Sequence, residues 1–216
     1  MISDKQWMTK ILTTLEDYFG KINWNVQDPF KLLIGTILSQ HTSDKNSHSA
    51  FRKLEEEVEV TPKVLASMDI ADIKHLIKSA GLANIKARRI RAVSTVVLDR
   101  FGGNLSQVLA LPLEKARQIL RSFPGVGEKT ADVVLGFSGC KSVIPVDTHL
   151  FTVAKRFGIV NSHKYEDVRV AYERLILPEK RTQAHLLFIQ LGKKICLARK
   201  PRCYLCPISQ LCPKRI

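Results

Sequence analysis

The sequence has no apolar run approaching the roughly 18 residues that a membrane-crossing helix needs. Its longest apolar stretches, Leu32–Leu38 and Val133–Phe137, are sized for a core. The amino terminus carries Asp4, Lys5, Glu16 and Asp17 among its apolar residues, so a signal-peptide stretch is missing as well. These absences argue against a membrane protein and a secretory route, and the expected location is intracellular. Acidic residues are scarce: 20 Asp and Glu stand against 34 Lys and Arg, a formal net charge of +14 on a chain of 24.4 kDa. Such an excess calls for a polyanionic partner, nucleic acid first. Disorder is excluded by a hydrophobic content of 45%, ordinary for a packed core. Cysteine is rare until the end of the chain, and in a reducing compartment five of them are not a disulfide framework.

Strand signals, internal repeats and low-complexity linkers are also missing. Helical periodicity is what the sequence has. Trp7, Met8, Ile11, Leu12, Leu15 and Phe19 form one stripe, closed by Gly20. Pro29 opens a segment apolar on most sides, the pattern of a buried central helix. Further helices are expected from Asp44 to about Val58, from Pro62, and from a cap at Asp69 to a stop before Gly81. The pattern then runs from Ile85 to Arg100 and breaks at Gly102-Gly103. Glu114–Ser122 and Glu128–Phe137 follow, with later starts near Asp147, Ser162 and Arg181. The fold class is all-α, with about ten helices.

Three segments carry chemistry. The first is the tight turn Pro124-Gly125-Val126-Gly127 between two amphipathic helices. Glycines permit positive φ and close approach of another backbone. The outward N–H groups at a helix start favour a phosphate, and Val126 would anchor the turn. This is a helix-hairpin-helix pattern, a sequence-independent clamp on a DNA backbone. Lys129, two residues on, sits where the helix dipole disfavours a cation. It is either a phosphate contact or an amine kept neutral enough to be a nucleophile. The second segment is Pro145-Val146-Asp147-Thr148-His149. Asp147 reads as an N-cap, and a cap held ionised is also able to take a proton or stabilise positive charge.

The third segment is the tail. Cys196, Cys203, Cys206 and Cys212 are spaced C-x6-C-x2-C-x5-C among Arg199, Lys200, Arg202, Lys214 and Arg215. Four thiolates on a short loop suit tetrahedral zinc or a cubane iron–sulfur cluster. Only Cys203 and Cys206 form a close pair, which favours the cubane over a zinc site built from two pairs. The surrounding cations make the loop a second phosphate contact. Cys140 lies outside the set and is expected to be a buried apolar residue.

These pieces, in this order and over nearly the whole chain, resemble the endonuclease III family of helix-hairpin-helix DNA glycosylases. The match includes Leu32-Leu33-Ile34 leading to Leu38-Ser39 and Asp44, Gly81-Leu82 with Lys86-Ala87, and the hairpin with Lys129-Thr130-Ala131. It continues through Val146-Asp147-Thr148-His149 and Ala198-Arg199-Lys200-Pro201-Arg202-Cys203. The resemblance implies a six-helix barrel over residues 24–141, and a second lobe from residues 1–23 and 142–216 around a [4Fe-4S] cluster held by the four tail cysteines. It implies a monomeric base-excision enzyme, in the cytoplasm or nucleoid of a prokaryote, acting on double-stranded DNA with a damaged base or abasic site. Oxidised pyrimidines would be removed and the abasic site nicked by AP lyase chemistry. Lys129 would attack C1′ and form a Schiff base, with Asp147 assisting. Ser39, Gln40, His41, Asp44, Pro124, Gly125, Val126, Gly127, Thr130, Arg199 and Lys200 would meet DNA.

Three positions depart from the family pattern. Where the family places a glutamine that fills the gap left by the flipped base, this chain has His41 with Gln40 beside it, and either fits the role. Thr152 stands in a place that is commonly arginine, leaving Lys155 or Arg156 to supply a basic contact. Glu128 precedes the lysine where a basic residue is frequent. The rival readings are a monofunctional mismatch glycosylase of the same superfamily, for thymine or adenine, and a non-catalytic DNA-binding cluster protein. The adenine enzymes use a glutamate leading into the wedge loop, and Phe30 to Ser43 contains no acidic residue.

Overall fold

A computed structural model describes residues 4–214. Among them there is no β-strand, and no helix is long and apolar enough to cross a membrane. The order is α1 (Asp4–Phe19), α2 (Pro29–Ser39), α3 (Asp44–Glu57), α4 (Pro62–Ser67), α5 (Ile70–Leu76), α6 (Ala83–Phe101), α7 (Ser106–Ala110), α8 (Leu113–Arg121), α9 (Glu128–Phe137), α10 (Thr148–Phe157), α11 (Tyr165–Leu175) and α12 (Arg181–Lys194). Short 3-10 turns occupy Lys78–Ala80, Pro178–Lys180 and Cys203–Leu205. The chain divides into two compact units. One is Val26–Lys141; the other joins the residues up to Asn25 to those from Ser142 on.

In the first unit α2 is the central helix. Asp28 caps it, its Oδ1 accepting from the Lys31 N–H at 2.8 Å, and Pro29 fills the first turn. Leu33, Ile34, Ile37 and Leu38 are fully buried, so every face of α2 meets α3, α6 or α9. Truncating any one of them to alanine costs about 2–5 kcal/mol. Ser43 and Thr61 cap α3 and α4 through their hydroxyls. Asp69 takes the cap position of α5 but makes no side-chain cap bond; its backbone carbonyl alone accepts from Asp72 and Ile73. The stretch ending at Gly81 is therefore α5 plus a 3-10 turn, not one helix. The periodicity does not foreshadow α7, because its five residues are too few to show a period.

In the second unit Met8, Ile11 and Leu15 of α1 bury the expected stripe against α11 and α12. An aromatic chain runs through this core. Trp7 meets Phe157 edge-on at 5.4 Å, Phe157 meets Phe188 at 5.9 Å, and Phe188 lies 5.3 Å from Tyr172. Gly192 of α12 faces His149 of α10 so closely that a Cβ there would stand 2.6 Å from the His149 side chain, so α12 needs glycine at that point.

Candidate functional site

The hairpin is a Phe-Pro-Gly-Val turn. Val126 N–H donates to the Phe123 carbonyl at 3.1 Å, Pro124 holds the second position, and Gly125 takes the third with φ +77°. That is the residue order of a type II turn, whose third position demands positive φ. Phe123 and Val126 are buried and fix the turn to the core; Pro124, Gly125 and Gly127 are exposed. Only Gly125 uses positive φ, for Gly127 is extended. A Cβ on Gly127 would meet nothing within 4 Å. Among the described residues no contact requires a glycine there. Beneath the turn, Arg117 of α8 donates to Asp132 of α9 at 2.8 Å, both buried, with Glu114 also on Arg117. This pair locks the two helices together and was not legible in the sequence.

Lys129 is exposed in the first turn of α9, and no hydrogen bond or ion pair engages it among the described residues. Glu128 turns to Arg121 across the hairpin at 3.6 Å. Val126 and Thr130, expected at DNA, face inward. The Val126 N–H is taken by Phe123, and Thr130 is buried with its hydroxyl 3.4 Å from the Gln40 amide. The Val126 side chain anchors the turn to the core.

The loop after α2 separates its two glutamine-place candidates. Gln40 is pinned: Nε2 donates to the Gly125 carbonyl at 3.0 Å and Oε1 accepts from Arg89 at 3.0 Å. His41 is exposed at φ +53°, a left-handed conformation that costs a side chain strain. Ser39 returns its hydroxyl to the Thr36 carbonyl at 2.9 Å, and Asp44 is exposed in the first turn of α3. Behind the loop the buried Lys86 ammonium donates to the Leu38 carbonyl at 2.7 Å and to the Ala80 carbonyl at 2.9 Å. Burial lowers its pKa, and the nearby Arg89 lowers it further. Leu82, exposed at φ +47°, is a second strained apolar side chain.

In the second unit Asp147 is the N-cap of α10. Oδ1 accepts from the His149 and Leu150 N–H groups at 2.9 and 3.0 Å. No bond engages Oδ2 among the described residues. The strand-like approach to it is fixed by Tyr165, whose hydroxyl meets Val146 N–H at 3.2 Å, and by His185, 2.8 Å from the Pro145 carbonyl. The Tyr172 hydroxyl is pushed well above its usual pKa by burial, then by the charges of Asp147 and Cys196. Thr152 bonds back to the Thr148 carbonyl. Arg156 is buried and donates to the Cys196 sulfur and carbonyl at 3.0 Å and to the Ala198 carbonyl at 3.1 Å. It has no reach outward, so Lys155, exposed, is the basic group α10 presents there.

Cys196, Cys203, Cys206 and Cys212 are all half-buried and line one apolar cavity with Leu191, Ile195 and Ile208. Burial raises the Cys206 and Cys212 thiols, and the neighbouring cysteines add to it, so the four sulfurs feel one another. Among the described residues no three candidate ligands stand close enough to hold a single metal ion. Arg199 and Lys200 are exposed, Lys200 at φ +52°, and Tyr204 in the same loop is 84% exposed. Cys140 is exposed, not buried: it follows Gly139 in the turn that leaves α9, where no core remains to receive it.

Comparison with known proteins adds a family. Residues 34–178 match the HhH-GPD superfamily base excision DNA repair protein family. Endonuclease III of Sulfolobus acidocaldarius is 38% identical over 185 residues, 85% of this chain and 81% of that protein. Among solved structures, a trapped endonuclease III–DNA covalent intermediate superposes with a TM-score of 0.82 at 28% identity, covering 99% of this chain and 97% of the other. A non-covalent endonuclease III–DNA complex gives a TM-score of 0.83 at 28% identity, with the same coverage.

Proposed function

The chain belongs to the HhH-GPD superfamily of base excision DNA repair proteins, and from that premise we propose that Lys129 is the nucleophile of its DNA glycosylase and AP lyase activity. The protein is a base-excision repair DNA glycosylase of the endonuclease III type and binds DNA. The observation that carries the assignment of Lys129 is its isolation: an exposed amine, without a protein partner, two residues past a turn shaped for a phosphate. The Gly125-Gly127 hairpin seats the backbone, and the damaged nucleotide leaves the stack at a cost of a few kcal/mol that damage reduces. Asp147 takes a proton from the Lys129 ammonium. The free amine attacks C1′, the glycosidic bond breaks, and the base leaves with its electron pair. The Asp147 carboxylate offsets the oxocarbenium charge as that bond lengthens. The attached nitrogen then loses a proton and the C1′–O4′ bond opens, O4′ leaving as a hydroxyl, which gives the Schiff base; this acidifies C2′, and loss of that proton expels the 3′ phosphate by β-elimination.

The reading extends to the lesion and the cluster. Oxidised or ring-damaged pyrimidines in double-stranded DNA are the substrate class. His41 enters the space the base vacates, because Gln40 is already bonded on both amide atoms while His41 is exposed and strained. Leu82 is a second apolar wedge of the kind that props open a base step. The tail cysteines hold a [4Fe-4S] cluster. Their half-burial around one common apolar cavity suits four thiolates that would hold a cubane cluster. The cluster supplies a covalent staple; Arg156 orients Cys196. Arg199 and Lys200 give the loop its phosphate contacts.

Incubation with a duplex carrying one thymine glycol, with and without borohydride, tests this. The expected result is a nicked strand and a trapped covalent complex, both lost in Lys129→Gln. Base release without trapping would overturn Lys129 as nucleophile.

A further inference from the structure

The Gln40 side chain joins three elements that the glycosylase reading uses separately. Its Nε2 donates to the carbonyl of Gly125, inside the hairpin turn, and stands 3.4 Å from the hydroxyl of Thr130, the residue after Lys129. Its Oε1 accepts from Arg89 of α6. Arg89 in turn lies flat on the turn: a Cβ on Gly125 would fall 2.5 Å from the Arg89 Cδ. The residue after Gln40 is the strained His41. Gln40 sits in extended backbone at the end of α2, with its backbone N–H on the Ile37 carbonyl at 3.3 Å and its side chain fixed by these further bonds.

We propose that Gln40 and Arg89 are positioning residues that couple the seat of the hairpin to the placement of His41 and of the Lys129 turn. The proposal rests on the glycosylase reading above. Its physical basis is geometric. An amide bonded at both ends cannot shift without breaking bonds at the hairpin or at α6, so a displacement of Gly125 by a seated phosphate moves the His41 backbone with it. The half-buried Arg89 keeps the amide oriented, because its cation fixes which end of Gln40 is the oxygen. Misplacing a reacting group by about 1 Å costs up to about a hundredfold in rate. The coupling therefore acts on the bound complex and not on the encounter.

The test is a double-mutant cycle of Gln40→Ala and Arg89→Met on thymine-glycol duplex, read at enzyme saturation. Each single variant is expected to slow base excision about tenfold at unchanged Kd for undamaged duplex, and the double variant to be no slower than the worse single. Gln40→Glu keeps an acceptor for Arg89 but turns a carboxylate oxygen on the Gly125 carbonyl. It should excise as slowly as Gln40→Ala, although its thermal midpoint stays near wild type. Fluorescence of 2-aminopurine opposite the lesion reads the His41 placement independently, and should lose its bound-state signal in all three. Additive effects, unchanged saturating rates, or a loss confined to Kd would overturn the coupling. A wild-type protein that neither excises nor traps would instead sink the glycosylase reading, so the two failures are told apart.

Discussion

The hairpin and the cysteine loop, the two DNA contacts of the proposed reading, are held in opposite ways. The hairpin is four residues long and fixed by its own chemistry: a type II turn, two buried side chains, and a buried Arg117–Asp132 pair below. The cysteine loop runs from Cys196 to Cys212, and its backbone bonds are mostly local turns, such as Leu205 to Arg202 and Leu211 to Ile208. Between Ala198 and Cys212 only Ile208 is buried. Its long-range ties are few, Trp7 to the Leu211 carbonyl at 2.8 Å and Arg156 to the loop start among them. One clamp is stable because of how it packs; the other, on the proposed reading, would take its stability from what its cysteines hold.

Four changes bear on that contrast. Removing the cluster ligand with Cys206→Ser, or iron by chelation, should release most of the loop's order, since ligation of a short cysteine loop contributes on the order of 10 kcal/mol. Hydrogen exchange should quicken over residues 196–212 and stay unchanged over α8 and α9. Equal protection in both would break the comparison. Next in size, Asp132→Ala removes the buried carboxylate from the Arg117 guanidinium, which keeps Glu114 at the surface, and should cost about 3 kcal/mol by urea denaturation. Replacing both partners by apolar residues should recover much of it.

The two hairpin glycines then divide cleanly. Gly125→Ala forces a side chain into positive φ and onto Arg89, and should lower stability by about 1–3 kcal/mol. Gly127→Ala has open space, so its melting midpoint should hold while DNA affinity falls. A stability loss at Gly127 would show that the turn, and not a ligand, requires that glycine. The smallest effect is expected from Arg199→Ala with Lys200→Ala. Every phosphate deprived of its cation should flatten the log–log salt dependence of binding by about 0.9.

Local features were legible in the sequence. Pro-Gly in a turn, Asp before a helix and apolar stripes each state their structure within a few residues, and the hairpin, the Asp147 cap and the α2 core follow from them. The positions read less well are those whose partner lies far along the chain. Nothing near Gln40 indicates that Gly125 and Arg89 will hold it, and nothing near Arg117 announces Asp132. Thr130 neighbours Lys129, which points it to the DNA, but the helix turns it inward. The average behaviour of cysteine predicts a buried Cys140, and a two-residue turn after Gly139 overrides it. The cysteine spacing indicates a metal group, while the apolar cavity that the four side chains share emerges only in three dimensions.

The cap of α10 divides the work of a single carboxylate between its two oxygens. Oδ1 belongs to architecture, bonded to two backbone N–H groups, and Oδ2 is the oxygen that the proposed mechanism uses. Asparagine caps a helix as well as aspartate does, whereas alanine costs about 1 kcal/mol. Asp147→Asn should therefore be a silent substitution to a calorimeter and a severe one to a kinetic assay. Selection acting on this position consequently has two separate grounds for refusing alanine and a single ground for refusing asparagine. A survey of tolerated variants that scored folding alone would pass over the residue.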